Sequence, residues 1–140
     1  MDINNLFSVK GKVAVVTGGS RGIGEMITSG FLANGVKVYI SARKAPALID
    51  KANELSERYE MDCIPVPCDL SNMQGINEFV EIIEKKEKSI DFLINNAGAA
   101  WGEPLESFSE KGWDKVMDLN VKSIFFLTQK FKTLLTKNAT

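Results

Sequence analysis

The chain has 140 residues, 44% apolar and 25% charged, with a net charge of −1 from 17 basic and 18 acidic side chains. That suffices for one domain with its own core and leaves no basic excess for nucleic acid or an anionic membrane. With no histidine and only two cysteines, Cys63 and Cys68, a zinc site lacks ligands and a His-dependent triad lacks its base. No metal is expected, and both cysteines read as reduced and buried.

Met1 to Asn5 has neither a basic start nor an apolar core, so it does not read as a signal peptide. No apolar run reaches the length of a membrane span, and a cytoplasmic location is expected. Residues 1–11 form a lead-in. The apolar run Val13 to Val16 suits a buried parallel strand and places strand one at Lys12 to Thr17. Glycines follow at 18, 19, 22 and 24. Ile23, Ile27 and Phe31 then open a helix from Gly22 to Asn34, which stops at Asn34-Gly35. Strand two is Val36 to Ser41. Pro46 suits the first turn of a second helix, whose stripe is Leu48, Ala52, Leu55 and Tyr59.

Strand three, Cys63 to Cys68, contains Pro65 and Pro67. Proline cannot donate to a ladder, so this strand belongs at a sheet edge. Ser71-x-x-Gln74 reads as a capping box for a third helix with the stripe Ile76, Val80 and Ile83. Strand four is Ile90 to Ile94. A loop with Trp101 and Pro104 leads to Ser109, a candidate cap. The last helix is expected from Glu110 to Lys137, with Trp113, Met117, Asn120, Ile124, Leu127 and Phe131 on one stripe. Alternating strands and helices imply an α/β fold, a doubly wound parallel sheet of order 3-2-1-4. A ligand is expected at the carboxyl ends of its strands, near the switch between strands one and four.

The turn Thr17-Gly18-x-x-x-Gly22-x-Gly24 sits at that place. Strand, glycine turn and helix make a phosphate cradle: glycine removes the Cβ that would hold a pyrophosphate off the backbone, and the first helical N–H groups face the anion. A tight turn that binds nothing is the alternative. No Lys-Ser or Lys-Thr pair comes after the glycines, which disfavours a nucleoside triphosphate loop. Ser20, Arg21 and Ile23 lie within the turn. At the end of strand two, Ser41-Ala42-Arg43-Lys44 lacks the acid that would hold a ribose 2′-hydroxyl. Arg43, with Arg21 and Ser20, suits a 2′-phosphate, so NADP(H) is expected over NAD(H). The missing acid also argues against an S-adenosylmethionine methyltransferase.

Asp69, beside Leu70, can accept from an adenine amino group or help cap the next helix. Asn95 and Asn96 can tie strand ends together, and Gly98 permits close backbone approach. Asn120 is a lone amide on an apolar stripe. It is either satisfied by a neighbouring backbone, as its spacing favours, or an active-site group.

Thr17-Gly18-x-x-x-Gly22-x-Gly24, Asp69, Asn95-Asn96-Ala97-Gly98 and Asn120-Val121 together resemble the short-chain dehydrogenase/reductase family, and the stretch Asn95 to Leu127 looks most like its 3-oxoacyl-thioester reductases of the rhamnolipid-pathway kind. The resemblance implies a Rossmann-like fold and an NADP(H)-dependent carbonyl reductase or alcohol dehydrogenase. Gly18, Gly22 and Gly24 would cradle the pyrophosphate. Asp69 and Leu70 would border the adenine. Asn96, Ala97 and Gly98 would line the ribose and the path to the nicotinamide. Asn120 would be the active-site asparagine that positions a water and the catalytic lysine.

The family's Tyr-x-x-x-Lys and its upstream serine are not matched. Tyr39 is followed four residues on by Arg43, and Tyr59 by Cys63. The chain therefore reads as the N-terminal, cofactor-binding portion of one Rossmann domain, residues 1–140, with its catalytic part beyond Thr140. It is expected to be inactive alone, to act within the parent protein on a small carbonyl or alcohol, and to form homo-oligomers through the last helix. A non-catalytic nucleotide-binding or partner-binding module, complete as given, is the second reading.

Overall fold

A computed structural model describes residues 6–135 and Ala139. Four parallel strands form one sheet in the order β3-β2-β1-β4: β1 is Val13–Thr17, β2 Lys37–Ala42, β3 Cys63–Pro67 and β4 Phe92–Ile94. Helices α1 (Gly22–Ala33), α2 (Ala45–Tyr59) and α3 (Met73–Glu84) connect them. After β4 come a short 3-10 turn, Leu105–Ser107, then α4 (Glu110–Met117) and α5 (Ser123–Phe131), joined by a π turn over Asp118–Lys122.

Strand residues alternate between two cores. Ala14, Val16, Val38 and Ile40 pack with Leu32 of α1 and Leu48 and Leu55 of α2. Val15, Tyr39 and Val66 face the other way, towards Phe79 and Ile83 of α3 and Phe131 of α5. Helices on both faces explain why the strands are apolar throughout rather than alternating. The Phe79 and Phe131 rings meet edge to face, with centroids 6.0 Å apart, and lock α3 to α5. The proline-bearing β3 ends the sheet on one side, as its composition requires. Cys63 and Cys68 are both free, and they lie towards opposite cores.

Three expectations need correction. The Ser71-x-x-Gln74 capping box does not form. Asn72 caps α3, accepting from Gly75 N–H at 2.9 Å, while Ser71 N–H and Oγ–H both donate to Asp69 Oδ1. Asp69 drew Ser71 away, leaving the adjacent asparagine at the helix start.

The last helix is not uniform. The π turn divides it, α5 ends at Phe131, and the expected end at Lys137 lies outside the described residues. A π turn takes in an extra residue and rotates the helix beyond it relative to a 3.6-residue period. The expected stripe breaks accordingly: Leu127, Phe131 and Ser123 are buried, whereas Trp113 is 59% and Ile124 36% exposed. In α1, Ile27 and Phe31 pack on the core, but Ile23 stands 71% exposed beside the glycine turn.

Candidate functional site

The carboxyl ends of β1 and β4 are sewn together by one hydroxyl and one amide. Thr17 is buried. Its Oγ–H donates to the Ile94 carbonyl at 3.2 Å, and its Oγ accepts from Asn96 and Ala97 N–H, both at 3.0 Å. Asn96 Nδ2 returns the contact, donating to the carbonyls of Thr17 at 2.9 Å and Gly18 at 3.2 Å. The two asparagines therefore differ: the Asn96 amide nitrogen bridges two carbonyls, while Asn95 Oδ1 is buried with no partner among the described residues.

The glycines of the turn are required for different reasons. Gly22 has φ +54° with open space around it, so conformation alone selects it. Gly24 is required by space: a Cβ there would overlap the Gly18 carbonyl oxygen and come within 2.5 Å of Asn96 Nδ2. Gly18 needs both, with φ +65° and Ala97 Cα 3.2 Å from any added Cβ. The result is a side-chain-free bend leading into the α1 N-terminus. Arg21 is the N-cap there and makes no side-chain cap bond, unlike Asn72 at α3 and Ser109 at α4. The first N–H groups of α1 thus have no side-chain cap at the positive end of the helix dipole.

Two residues that sequence reading passed over support the bend. Thr28 is buried on α1, and its hydroxyl lies 3.1 Å from the Gly19 carbonyl and 2.8 Å from the Gly24 carbonyl, one helical turn back. Ser41 Oγ accepts from Gly18 N–H at 3.4 Å. The only sequence signal for either is a small hydroxyl residue among apolar neighbours. Register places Ser41 directly beside Thr17.

The other expected residues distribute around this bend. Arg21 and Arg43 are exposed, one entering α1 and the other following β2; Ser20 is half-buried. Asp69 is exposed at the end of β3, whereas the Leu70 side chain is buried in the core. Gly98 is brought to Asn120, whose Oδ1 is 3.5 Å from where a Cβ would sit.

Asn120, in the π turn, spends its side chain on the loop. Oδ1 accepts from Ala99 N–H and Nδ2 donates to the Ala99 carbonyl, each at 2.8 Å. Of the two alternatives for this amide, backbone satisfaction is what the structure displays.

Neither tyrosine is placed as an acid. Tyr39 O–H donates to Glu87 Oε1 at 2.6 Å, and Glu87 also pairs with Lys37 at 3.1 Å. Burial, then the Glu87 carboxylate, raise the Tyr39 pKa above its ordinary value, opposite to what a general acid at neutral pH needs. Tyr59 closes α2. Burial also pushes both cysteine thiols up to about 12, which leaves them un-ionised and poorly nucleophilic. The described residues hold no cluster of metal-binding side chains.

A sequence model of the short chain dehydrogenases matches residues 12–140. The chain belongs to this family. It is 45% identical over 133 residues to a rhamnolipids biosynthesis 3-oxoacyl-[acyl-carrier-protein] reductase of Pseudomonas aeruginosa, covering 95% of this chain and 51% of the relative. A solved Pseudomonas aeruginosa RhlG/NADP active-site complex superimposes with TM-score 0.87 and 46% identity, over 96% of this chain and 52% of that one. L-sorbose reductase from Gluconobacter frateurii, solved with NADPH and L-sorbose, gives TM-score 0.86 and 30% identity, over 89% of this chain and 48% of that one. The short-chain dehydrogenase chain thus spans about half the length of the relatives it matches.

Proposed function

We propose that this protein binds NADP(H) and, in its parent form, transfers hydride between that cofactor and a ketone or 3-oxoacyl group. The single observation that carries the reading is the bend at Gly18 to Gly24, where a Cβ on Gly24 would fill the space beside Gly18 and Asn96. The residues present fit a dinucleotide. Gly22, Ile23 and Gly24 offer backbone N–H groups to the pyrophosphate, and Gly18, whose N–H goes to Ser41 Oγ, permits close backbone approach. Ser20, Arg21 and Arg43 offer hydroxyl and guanidinium donors to a 2′-phosphate, with no acid at the end of β2 to favour a free ribose. Asp69 and the Leu70 backbone border the adenine, and Asn96, Ala97 and Gly98 line the path towards the nicotinamide. The solved relatives that hold NADP or NADPH support the same assignment.

When bound, the nicotinamide supplies the hydride; the protein supplies position and protons. Thr17 and Asn96 hold the bend beneath it. Asn120 fixes the start of the loop through Ala99 and, as the family resemblance implies, positions a water and the catalytic lysine. The acid–base tyrosine and lysine, with their serine, are supplied beyond residue 140, so residues 1–140 alone bind without turnover. The shared half-length match supports this division. The protein acts on a small carbonyl or alcohol in the cytoplasm, and no described helix is long and apolar enough to cross a membrane. It pairs with further copies through the last helix, where Ile124 and Phe125 are exposed beside a shallow groove and Val121 is exposed one turn before them.

Calorimetry tests the cofactor choice. Arg43→Ala should weaken NADPH by about tenfold, some 1.4 kcal/mol, and leave NADH nearly unchanged. Equal wild-type affinities for the two would sink the assignment. A protein expressed from its whole reading frame that binds NADPH yet reduces no ketone would be the non-catalytic module instead.

A further inference from the structure

The loop between β4 and α4 carries a side chain that no cofactor contact uses. Trp101 lies two residues beyond Ala99, where Asn120 pins the backbone. Its indole rests against Gly112, and a Cβ at that glycine would overlap indole Cδ1 and Nε1. The Lys115 ammonium stands over the same ring, 4.3 Å from its centroid. Residues three apart share a helix face, so Gly112 and Lys115 hold the ring from the helix side. Glu103 accepts from Ser109 N–H at 2.7 Å, and Ser109 Oγ caps α4 through Gly112 N–H at 3.1 Å. Ser109 and the indole N–H together hold the Glu103 carboxyl below its usual range.

The ring is thus seated before any ligand arrives, yet Trp101 remains 37% exposed. Glycine within a helix costs about 1 kcal/mol relative to alanine, and α4 carries one where the indole lies. The loop also exposes Leu105 and Phe108, at 88% and 39%. The loop that carries all three leaves the sheet at the carboxyl end of β4, the end where ligands of such folds bind. A pre-positioned aromatic face takes an apolar group with little further ordering cost.

We propose that Trp101 is a specificity-determining residue: its open side receives the apolar chain of the ketone substrate, and Gly112, Lys115 and Glu103 are positioning residues that hold the ring. This rests on the reading of the protein as an NADP(H)-dependent carbonyl reductase.

The test titrates NADP+-loaded protein, expressed from its whole reading frame, with ethyl 3-oxohexanoate and separately with L-sorbose, following tryptophan emission. Trp101→Phe identifies the part of the signal due to this ring. The ester should quench saturably in the wild type and lose that component in Trp101→Phe. It should bind about tenfold more weakly to Gly112→Ala, whose added methyl displaces the ring while favouring the helix. NADP+ affinity should stay within about twofold in both variants. L-sorbose should give the weaker response. No quench by the ester, wild-type ester affinity in Gly112→Ala, or a stronger response to L-sorbose would each overturn the proposal. Wild-type protein that fails to bind NADP+ would instead sink the function reading, and this inference with it.

Discussion

The glycine bend and the loop after β4 border the same end of the sheet, but they are held in different ways. The bend is fastened to β4 and to residues 96 and 97 by hydrogen bonds spanning 77 to 80 residues, all five of them through the Thr17 hydroxyl or the Asn96 amide. Gly18, Gly19 and Gly24 admit no side chain without moving a neighbour. The loop is fastened to nearby helix by side chains: Asn120 on Ala99, Glu103 on Ser109, and Lys115 with Gly112 on Trp101. A structure defined by missing side chains tolerates few substitutions. One held by contacts to an adjoining helix can be rebuilt without disturbing the sheet. The glycine bend is therefore the fixed half of this end of the molecule, and the loop its adjustable half.

The sharpest way to break that comparison is Gly24→Ala. Its methyl meets the Gly18 carbonyl, which Thr17 and Asn96 prevent from stepping aside. NADPH affinity, by calorimetry, should fall at least about 100-fold, close to 2.8 kcal/mol. Binding within threefold of wild type would make the bend as adjustable as the loop.

Thr17→Val has a smaller expected effect, on stability rather than contact. It leaves the Ala97 N–H without its acceptor, whereas the Asn96 N–H keeps the Ile94 carbonyl at 3.0 Å. An unsatisfied buried donor costs about 1–3 kcal/mol; this one is partly buried, so about 1–2 kcal/mol is expected. Urea unfolding should register it as a lower midpoint with an unchanged slope. A loss under about 0.5 kcal/mol would show that the sheet ends are held by something else.

The smallest effect concerns the loop. The Ser109 N–H lowers the Glu103 pKa, so the hold it provides is present above the unfolded carboxylate value and is lost as pH falls through the lower folded one. The difference in tryptophan emission between wild type and Glu103→Gln should be flat from about pH 8 to about pH 5 and fade only below about pH 4. A midpoint above the usual carboxylate value would reverse the sign.

Much of the fold could be read from local pattern. Pro65 and Pro67 placed β3 at the edge, and Gly22 and Gly24 placed the bend. Errors fell where two residues compete or where a period changes. Ser71 and Asn72 are both good caps, and the position of the Asp69 carboxylate chose between them. The π turn at Asp118–Lys122 moved Trp113 and Ile124 off the core stripe, and no propensity in that stretch marks it.

The sequence by itself determined the strand–bend–helix order, the absence of an acid after β2 and the apolar faces, because each depends on neighbours within a few turns of chain. Tertiary structure alone decided that Thr17 meets Ala97, that Asn120 serves Ala99, that Thr28 backs the bend and that Gly112 makes room for an indole. Those pairings depend on how β1, β4 and α4 are set beside one another in space, and hydrogen bonds and ring contacts of that kind leave no periodicity in the chain.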